Sequence, residues 1–411
     1  MSKKYVLLVL ALCLPMILQC SDDTIKSENP GDPPHLTPGD LTDADKQLIT
    51  ADNAFGFKLF KEVIKEDKDK NVFVSPLSVA MALGMAYNGA DGTTREKMAR
   101  TLELQGMTVE QVNQAYRNVI DVLTHLDDNV DFSIANSIWY RLGLAVESTF
   151  LDLNQTYFDA EVNEIEFTLP TAADSINGWV EEHTNGKITK IISPPISADV
   201  AMILIDAIYF KGGWSDQFNR DSTETAIFML ADDSQVSCQM MRKHTEFLYA
   251  WQPQFQMINL PYGDSAFSMT VIFPADEVDI DSIINEFSDA TWANWLARLE
   301  QQEVTLGLPK FTLEYEISLV DVLITLGMDE AFMQGADFSG IVPNHPLWIS
   351  DVKHKTFVEV NEEGTEAVAV TSIVFVDSLP PELVINRPFV VVIHDNETGS
   401  ILFMGKIVDP S

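Results

Sequence analysis

An α+β domain of mixed β-sheets surrounded by α-helices is the fold class that this chain of 411 residues predicts, and three observations carry the prediction. Ala51, Phe55, Leu59 and Val63 recur at the spacing of a single helix face. Residues 200–210, 267–273 and 389–393 are apolar runs of strand character, each bounded by polar or turn residues. Helical and strand segments then alternate irregularly, which suits mixed sheets better than a doubly wound fold or a regular barrel. No internal repeat and no midchain linker divides the chain, so one large domain is expected.

The N-terminal segment is read separately. Lys3 and Lys4 precede an apolar run from Tyr5 to Leu18, too short to span a bilayer comfortably and of the length and polarity of a secretory signal. Residues 17–20 (ILQC) resemble a bacterial lipobox with Cys20 as the lipidated residue after cleavage, although Gln19 departs from the small residue usual there. A plain secretory signal with a chance cysteine is the alternative. The SDD after Cys20 resembles the acidic surface-export signals of some Gram-negative lipoproteins. Pro30, Pro33, Pro34 and Pro38, with glycines and acids but no apolar period, make the stretch up to residue 42 a flexible or extended tether. The expected layout is a signal over 1–19, lipidated Cys20 and tether over 20–42, and a domain over 43–411. The expected destination is the outer membrane or cell surface, or else the periplasm or medium.

A formal net charge of -36 and a pI near 4.3 argue against a nucleic-acid or anionic-membrane surface, because phosphate binding needs Lys and Arg to displace counterions. Of three cysteines, Cys13 leaves with the signal and Cys20 is acylated, so Cys238 is left in the domain without a disulfide partner. With no catalytic motif around it, Cys238 reads as a small buried hydrophobe. Enzyme signatures are absent: there is no GxSxG elbow, HExxH, CxxC, phosphate loop or dinucleotide glycine pattern. His35, His125, His183, His244, His345 and His394 lie apart without metal-ligand spacing and read as surface or turn residues. Asp276, Glu277, Asp279 and Asp281 lack the glycine and terminal glutamate of a calcium loop and read as solvated. Neither metal nor cofactor is expected, and catalysis by the chain itself is not.

The most informative segment lies near the C-terminus. After Gly364, Thr365, Ala367, Ala369 and Thr371 alternate with Glu366, Val368, Val370 and Ser372, so a strand formed here has one face of small residues able to slide beneath a covering layer. Gly364 supplies backbone freedom for a swinging segment, and Pro380 with Pro381 marks where pairing stops. Taken alone, such a run is also what an ordinary edge strand looks like.

The rest of the chain supplies the context. Residues 358–367 resemble the reactive-loop hinge of serpins, and the likeness extends over nearly all of residues 45–411. Residues 71–83 (NVFVSPLSVAMAL) are similar to the serpin shutter helix and are followed by NGADGTT at 88–94. INGWVE with TNGKI over 176–188, AIYFKGGW at 207–214, LPKF at 308–311, DFSG at 337–340, RPF at 387–389 and ILFMG at 401–405 follow in the family's order.

The resemblance implies the serpin fold with an exposed reactive-centre loop, and inhibition of serine endopeptidases by a covalent, suicide-type complex, acting as a monomer. It implies a hinge of Glu362, Glu363, Gly364, Thr365, Glu366, Ala367, Val368, Ala369, Val370 and Thr371. Ser75, Ser78, Asp206 and His354 fall at the shutter and Trp214 at the breach, with Asp206 standing where the family usually has asparagine. A carboxylate beside His354 is expected to favour its protonated form; the alternative for His354 is a satisfied core histidine. A non-inhibitory carrier, or a surface lipoprotein binding a ligand on the same scaffold, is the alternative function, but Thr365, Ala367, Ala369 and Thr371 leave the hinge unbroken.

The family's spacing counted from Gly364 puts the bait residue at Ser378, whereas counting back from Pro380 puts it at Asp377. An aspartate at the bait position suits a basic specificity pocket, as in glutamyl- or aspartyl-specific serine proteases and caspase-like cysteine proteases. The apolar IVFV before it offers Phe375 or Val376 to elastase-, subtilisin- or chymotrypsin-like enzymes instead, and Leu379 bounds the region. Cleavage at Asp377 releases a C-terminal peptide that begins at Ser378, which mass measurement checks; a peptide beginning at Asp377 or Val376 rejects the acidic bait.

Overall fold

In the computed structural model of the chain, residues 34–197, 199–343, 345–364 and 381–411 are described. Leu36 to Ser411 form one compact unit. It starts earlier than the expected boundary at 43, because Leu41 is buried and the Leu36 N–H donates to Asp121 Oδ2 at 2.7 Å. Thr42 then caps α1 (Asp43–Glu66), exchanging hydrogen bonds with Asp45, and Ala51, Phe55, Leu59 and Val63 are all buried along one face as their spacing predicts.

Three sheets follow. In the first, β2 (Val130–Arg141) lies between β3 (Glu161–Ile165), its parallel partner, and β4 (Met202–Gly212), its antiparallel partner. The second is the antiparallel pair of β10 (Phe311–Ser318) and β11 (Lys353–Val360). The third runs in the order β1 (Val72–Val74), β14 (Ile401–Ile407), β13 (Phe389–Asp395), β8 (Phe267–Pro274), β7 (Phe255–Tyr262), β6 (Gln235–Trp251), β9 (Glu300–Pro309) and β12 (Glu382–Val384), with β5 (Glu224–Met229) also on β6. The runs expected as strands at 200–210, 267–273 and 389–393 are β4, β8 and β13; β8 and β13 are buried on both faces, which is why they read as continuous apolar stretches.

Helices enclose the sheets. The nearly all-buried α2 (Pro76–Tyr87) packs against β4 and β14. Against it lie α1, α3 (Gly92–Thr101), α4 (Val109–Thr124) and α5 (Ser148–Phe158), while α7 (Ile280–Glu286), α8 (Asp289–Leu296) and the short α9 (Val320–Leu323) pack on α1. One large core joins them. A smaller core, Trp139, Phe167, Ile176, Trp179, Val180, Ile188, Ile205 and Ala207, forms where α6 (Thr171–His183) lies across β2 and β4.

Two sequence expectations fail in the core. His394 is a buried residue of β13, not a surface or turn one, and its Nε2 lies 2.9 Å from Thr270 Oγ1. Asp281 is not solvated: it sits 2.5 Å from the ammonium of buried Lys406, which also donates to the Lys68 carbonyl. In both cases the partner is more than a hundred residues away in sequence, where no local pattern reports it. Cys238 is buried as expected, and burial pushes its thiol pKa up.

Candidate functional site

Among the described residues β4 pairs only with β2, and β11 only with β10. Between these two strands lies a cleft of about 540 Å³, lined on one side by Ile208 to Lys211 and on the other by Phe357 to Glu359. Unpaired strand edges are normally covered, because their N–H and C=O groups template another strand.

The top of the cleft is closed by Trp214, just past the end of β4. Its N–H donates to the Glu363 carbonyl at 3.0 Å and its indole Nε1–H to the Asn361 carbonyl at 2.9 Å, while its ring stacks on Tyr262 with centroids 4.4 Å apart. Glu362, buried, accepts from Lys310 Nζ at 2.7 Å and from Thr223 Oγ1 at 2.7 Å. Burial works against its charge, but these bonds prevail and hold its pKa below the usual carboxylate value. Glu363 pairs with Arg220. Gly364 has φ +99° and packs so tightly on Trp214 that a Cβ would come within 2.3 Å of the Trp214 nitrogen. Only glycine fits there. The structure thus brings Trp214 together with Glu362, Glu363 and Gly364. Thr365 to Thr371, the bond candidates Phe375 to Leu379, and Cys20 lie outside the described residues.

Lower down, the N-terminus of α2 ties the two strands together. The Ser75 N–H donates to Nε2 of buried His354 on β11 at 3.0 Å, and its hydroxyl donates to the Leu402 carbonyl at 2.8 Å. That hydroxyl also accepts from the Ser78 N–H at 3.3 Å, capping the helix. The Ser78 hydroxyl reaches the Asp206 backbone carbonyl on β4 at 3.4 Å. Ser75, Ser78, Asp206 and His354 are therefore one cluster.

The charge expected for His354 is wrong. Burial lowers its pKa to about 4, and Nε2 accepts a hydrogen bond, so the ring is neutral at physiological pH. Asp206 gives it no anion: both carboxyl oxygens are sealed from solvent without a hydrogen-bond partner, and burial raises their pKa to about 8 despite the nearby Ser78 hydroxyl. Sequence reasoning also missed Asp52 of α1. It is equally buried, accepts from Tyr116 Oη at 3.0 Å, and is raised to about 8 by burial. Tyr116 is pushed up by burial first and then by both carboxyl groups, which places Asp52 and Asp206 in one buried field.

The pH consequence follows from the signs. His354, depressed, contributes stability that is full above its unfolded value of about 6.5 and is lost as pH falls toward 4. Asp206 and Asp52, raised, contribute stability that is full below about 3.8 and is lost as pH rises toward 8. Of these three groups only the two carboxyls slope above pH 6.5. Chemical denaturation should therefore show wild type losing stability between pH 6.5 and 8, with Asp206→Asn recovering about 1–2 kcal/mol of it at the upper end. An unchanged slope in that variant would remove Asp206 as the cause.

The family model Serpin (serine protease inhibitor) matches residues 50–410. Neuroserpin of Homo sapiens is 33% identical over 356 residues, covering 84% of this chain and 87% of that protein. An uncharacterised serpin-like protein of Thermococcus kodakarensis is 34% identical over 378 residues, covering 89% and 86%. Among solved structures, the native thermophilic serpin tengpin superposes with a TM-score of 0.79 at 30% identity, covering 88% of this chain and 94% of that one. Human thyroxine-binding globulin complexed with its hormone superposes with a TM-score of 0.83 at 27% identity, covering 90% and 100%. This chain belongs to the serpin family.

Proposed function

We propose that the chain inhibits serine endopeptidases, or caspase-like cysteine proteases, by suicide-substrate trapping, with Asp377–Ser378 as the bait bond and the segment after Gly364 as the trap. The attacking serine hydroxyl or cysteine thiol adds to the bait carbonyl, the C–N bond breaks, and an ester or thioester joins the protease to the loop while the new amine leaves with the C-terminal fragment. Insertion of the freed segment between β4 and β11 then outruns hydrolysis of that acyl bond.

The observation that supports this most is the pair of strand edges facing one another across a cleft whose mouth is Gly364. The twelve residues from Thr365 to Val376 span about 40 Å when extended, enough to cross a domain of this size. Gly213 bridges Gly364 and Asn361 bridges Gly364, both antiparallel. Carried forward, that register sets Ala367 between Phe210 and Val358, Val368 between Tyr209 and Phe357, and Thr371 between Asp206 and His354. Thr365, Ala367, Ala369 and Thr371 would all face inward. On the order of ten new backbone bonds at roughly 0.5–1.5 kcal/mol each barely offset about 1–2 kcal/mol of backbone entropy per residue, so burial and relief of the open edges must supply the drive.

Three outcomes test this. A protease panel should yield a complex that survives boiling in detergent. Ala367→Asp and Thr365→Arg, each forcing an unpaired charge inward at a cost of several kcal/mol, should be cut at the wild-type bond but retain no protease. A chain nicked between Phe375 and Leu379 should melt well above the intact one. A carrier role, which the thyroxine complex exemplifies for its own protein, would give no complex and no gain on nicking.

For location, export with lipid on Cys20 rests on the N-terminal pattern. Among the described residues no helix is long and apolar enough to cross a membrane. Labelled fatty acid should enter the wild type and not Cys20→Ala; equal labelling rejects the anchor.

A further inference from the structure

The motif TNGKI at 184–188 ends α6, the helix that lies across β2 and β4 on one side of the cleft. Thr184 closes α6: its buried hydroxyl donates to the Val180 carbonyl at 2.7 Å and accepts from the Ile188 N–H at 3.0 Å. Asn185 and Gly186 both adopt positive φ, +47° and +74°, which turns the chain sharply and fixes where Lys187 points. Ile188 returns to the small core beneath α6.

That core is asymmetric with respect to the cleft. Its buried members come from α6, its flanking segments, β2 and β4, all on one side of the opening. From the other side comes Phe357 of β11, packed against its edge. Lys187 adds two contacts across the same gap. Its ammonium stands 4.9 Å above the Phe357 ring and 3.6 Å from Glu359 Oε2, two residues further along the same outward face of β11. The turn also lines the cleft.

We infer that Lys187 is a latch: it holds the α6 layer, anchored on β4, to the outer face of β11, and restrains loop insertion until cleavage supplies the drive. This inference rests on the inhibitory reading above. A strand inserted between β4 and β11 separates them by two ladder spacings, about 9.5 Å, and slides its outward side chains beneath α6. In the register given above, Val368 arrives level with Phe357, so the incoming valine needs the space beside the ring that Lys187 covers. The latch must therefore open, and its contacts count only in the uninserted state. A restraint of this kind keeps the uncut chain from converting spontaneously.

Each contact, half exposed, is worth a few-fold, so together they should slow insertion by about three- to tenfold. The test uses the full chain carrying Lys187→Met, which keeps the stem and removes the charge, and Lys187→Arg, which restores it. Each is melted intact and after nicking in the loop, and spontaneous conversion of the uncut chain to the denaturant-resistant form is timed. The latch requires the methionine variant to melt lower than wild type only when intact and to convert about three- to tenfold faster, with arginine restoring both. Equal loss of melting temperature in the intact and nicked forms would make Lys187 an ordinary structural contact and overturn the latch, as would no change in either form. A wild type that gains nothing on nicking overturns the inhibitory reading itself, and the latch falls with it.

Discussion

Two strand edges that face each other without pairing are the constraint around which the molecule is organised. Each carries a row of peptide N–H and C=O groups that a neighbouring strand would satisfy, and an unpaired edge is a standing template for one. β4 and β11 do not close on each other because their contacts are made elsewhere. Trp214 joins the β4 end to the segment after β11, the α2 N-terminus joins them lower down through Ser75, Ser78, Asp206 and His354, and the core under α6 on β4 meets Phe357 of β11 at its edge. These ties are local and polar, or peripheral. The large core behind them, built on α1, α2 and the nine-stranded sheet, reaches the cleft through Phe73, Ile393 and Phe403.

The lower tie is unusual in its electrostatics. A histidine and an aspartate in one cluster suggest an ion pair, yet both are neutral near pH 7, because each is buried without a charged partner within reach. Desolvation of a lone charge outweighs any distant attraction, so the proton stays on the carboxyl and off the ring. What holds the strands is a set of neutral hydrogen bonds, individually worth about 0.5–1.5 kcal/mol. Such bonds tie both strands to one helix terminus without bringing their edges together. A true ion pair there would cost several kcal/mol to break once buried.

Much of this was legible in the sequence, and the limits are physical. Periodicity found α1, β4, β8 and β13 because their burial is one-sided for the helix and nearly complete for β8 and β13, and both leave a local signature. Motif resemblance brought Ser75, Ser78, Asp206 and His354 together, and likewise Trp214 and Glu362 to Gly364. Neither source could give the sign of the His354 shift, which depends on solvent exclusion by α2 and β14. Nor could they show Asp52 beside Tyr116, His394 in the core, or Lys187 over Phe357, since these join distant segments through side chains that look ordinary in sequence. The early start of the compact unit was hidden by prolines that suggest a tether, although Leu36 and Leu41 are apolar residues with a surface to bury against.

On the inhibitory reading proposed above, the orphaned oxygens of Asp206 connect the uncut state to the inserted one. A buried carboxyl group without a partner is a local cost, on the order of 1–3 kcal/mol per unsatisfied group, that the uninserted chain bears. Asparagine in its place would offer two donors as well as an acceptor, and would have more ways to be satisfied by carbonyls already lining the site. In the insertion proposed above, the register carried forward from the bridges at Gly364 would set Thr371 level with Asp206 and facing inward. A threonine hydroxyl is both donor and acceptor, so it can donate to an orphaned carboxyl oxygen that has no other partner. On the inhibitory reading proposed above, the departure from asparagine holds part of the driving force at the lower tie, to be released when the seventh residue after Gly364 reaches it.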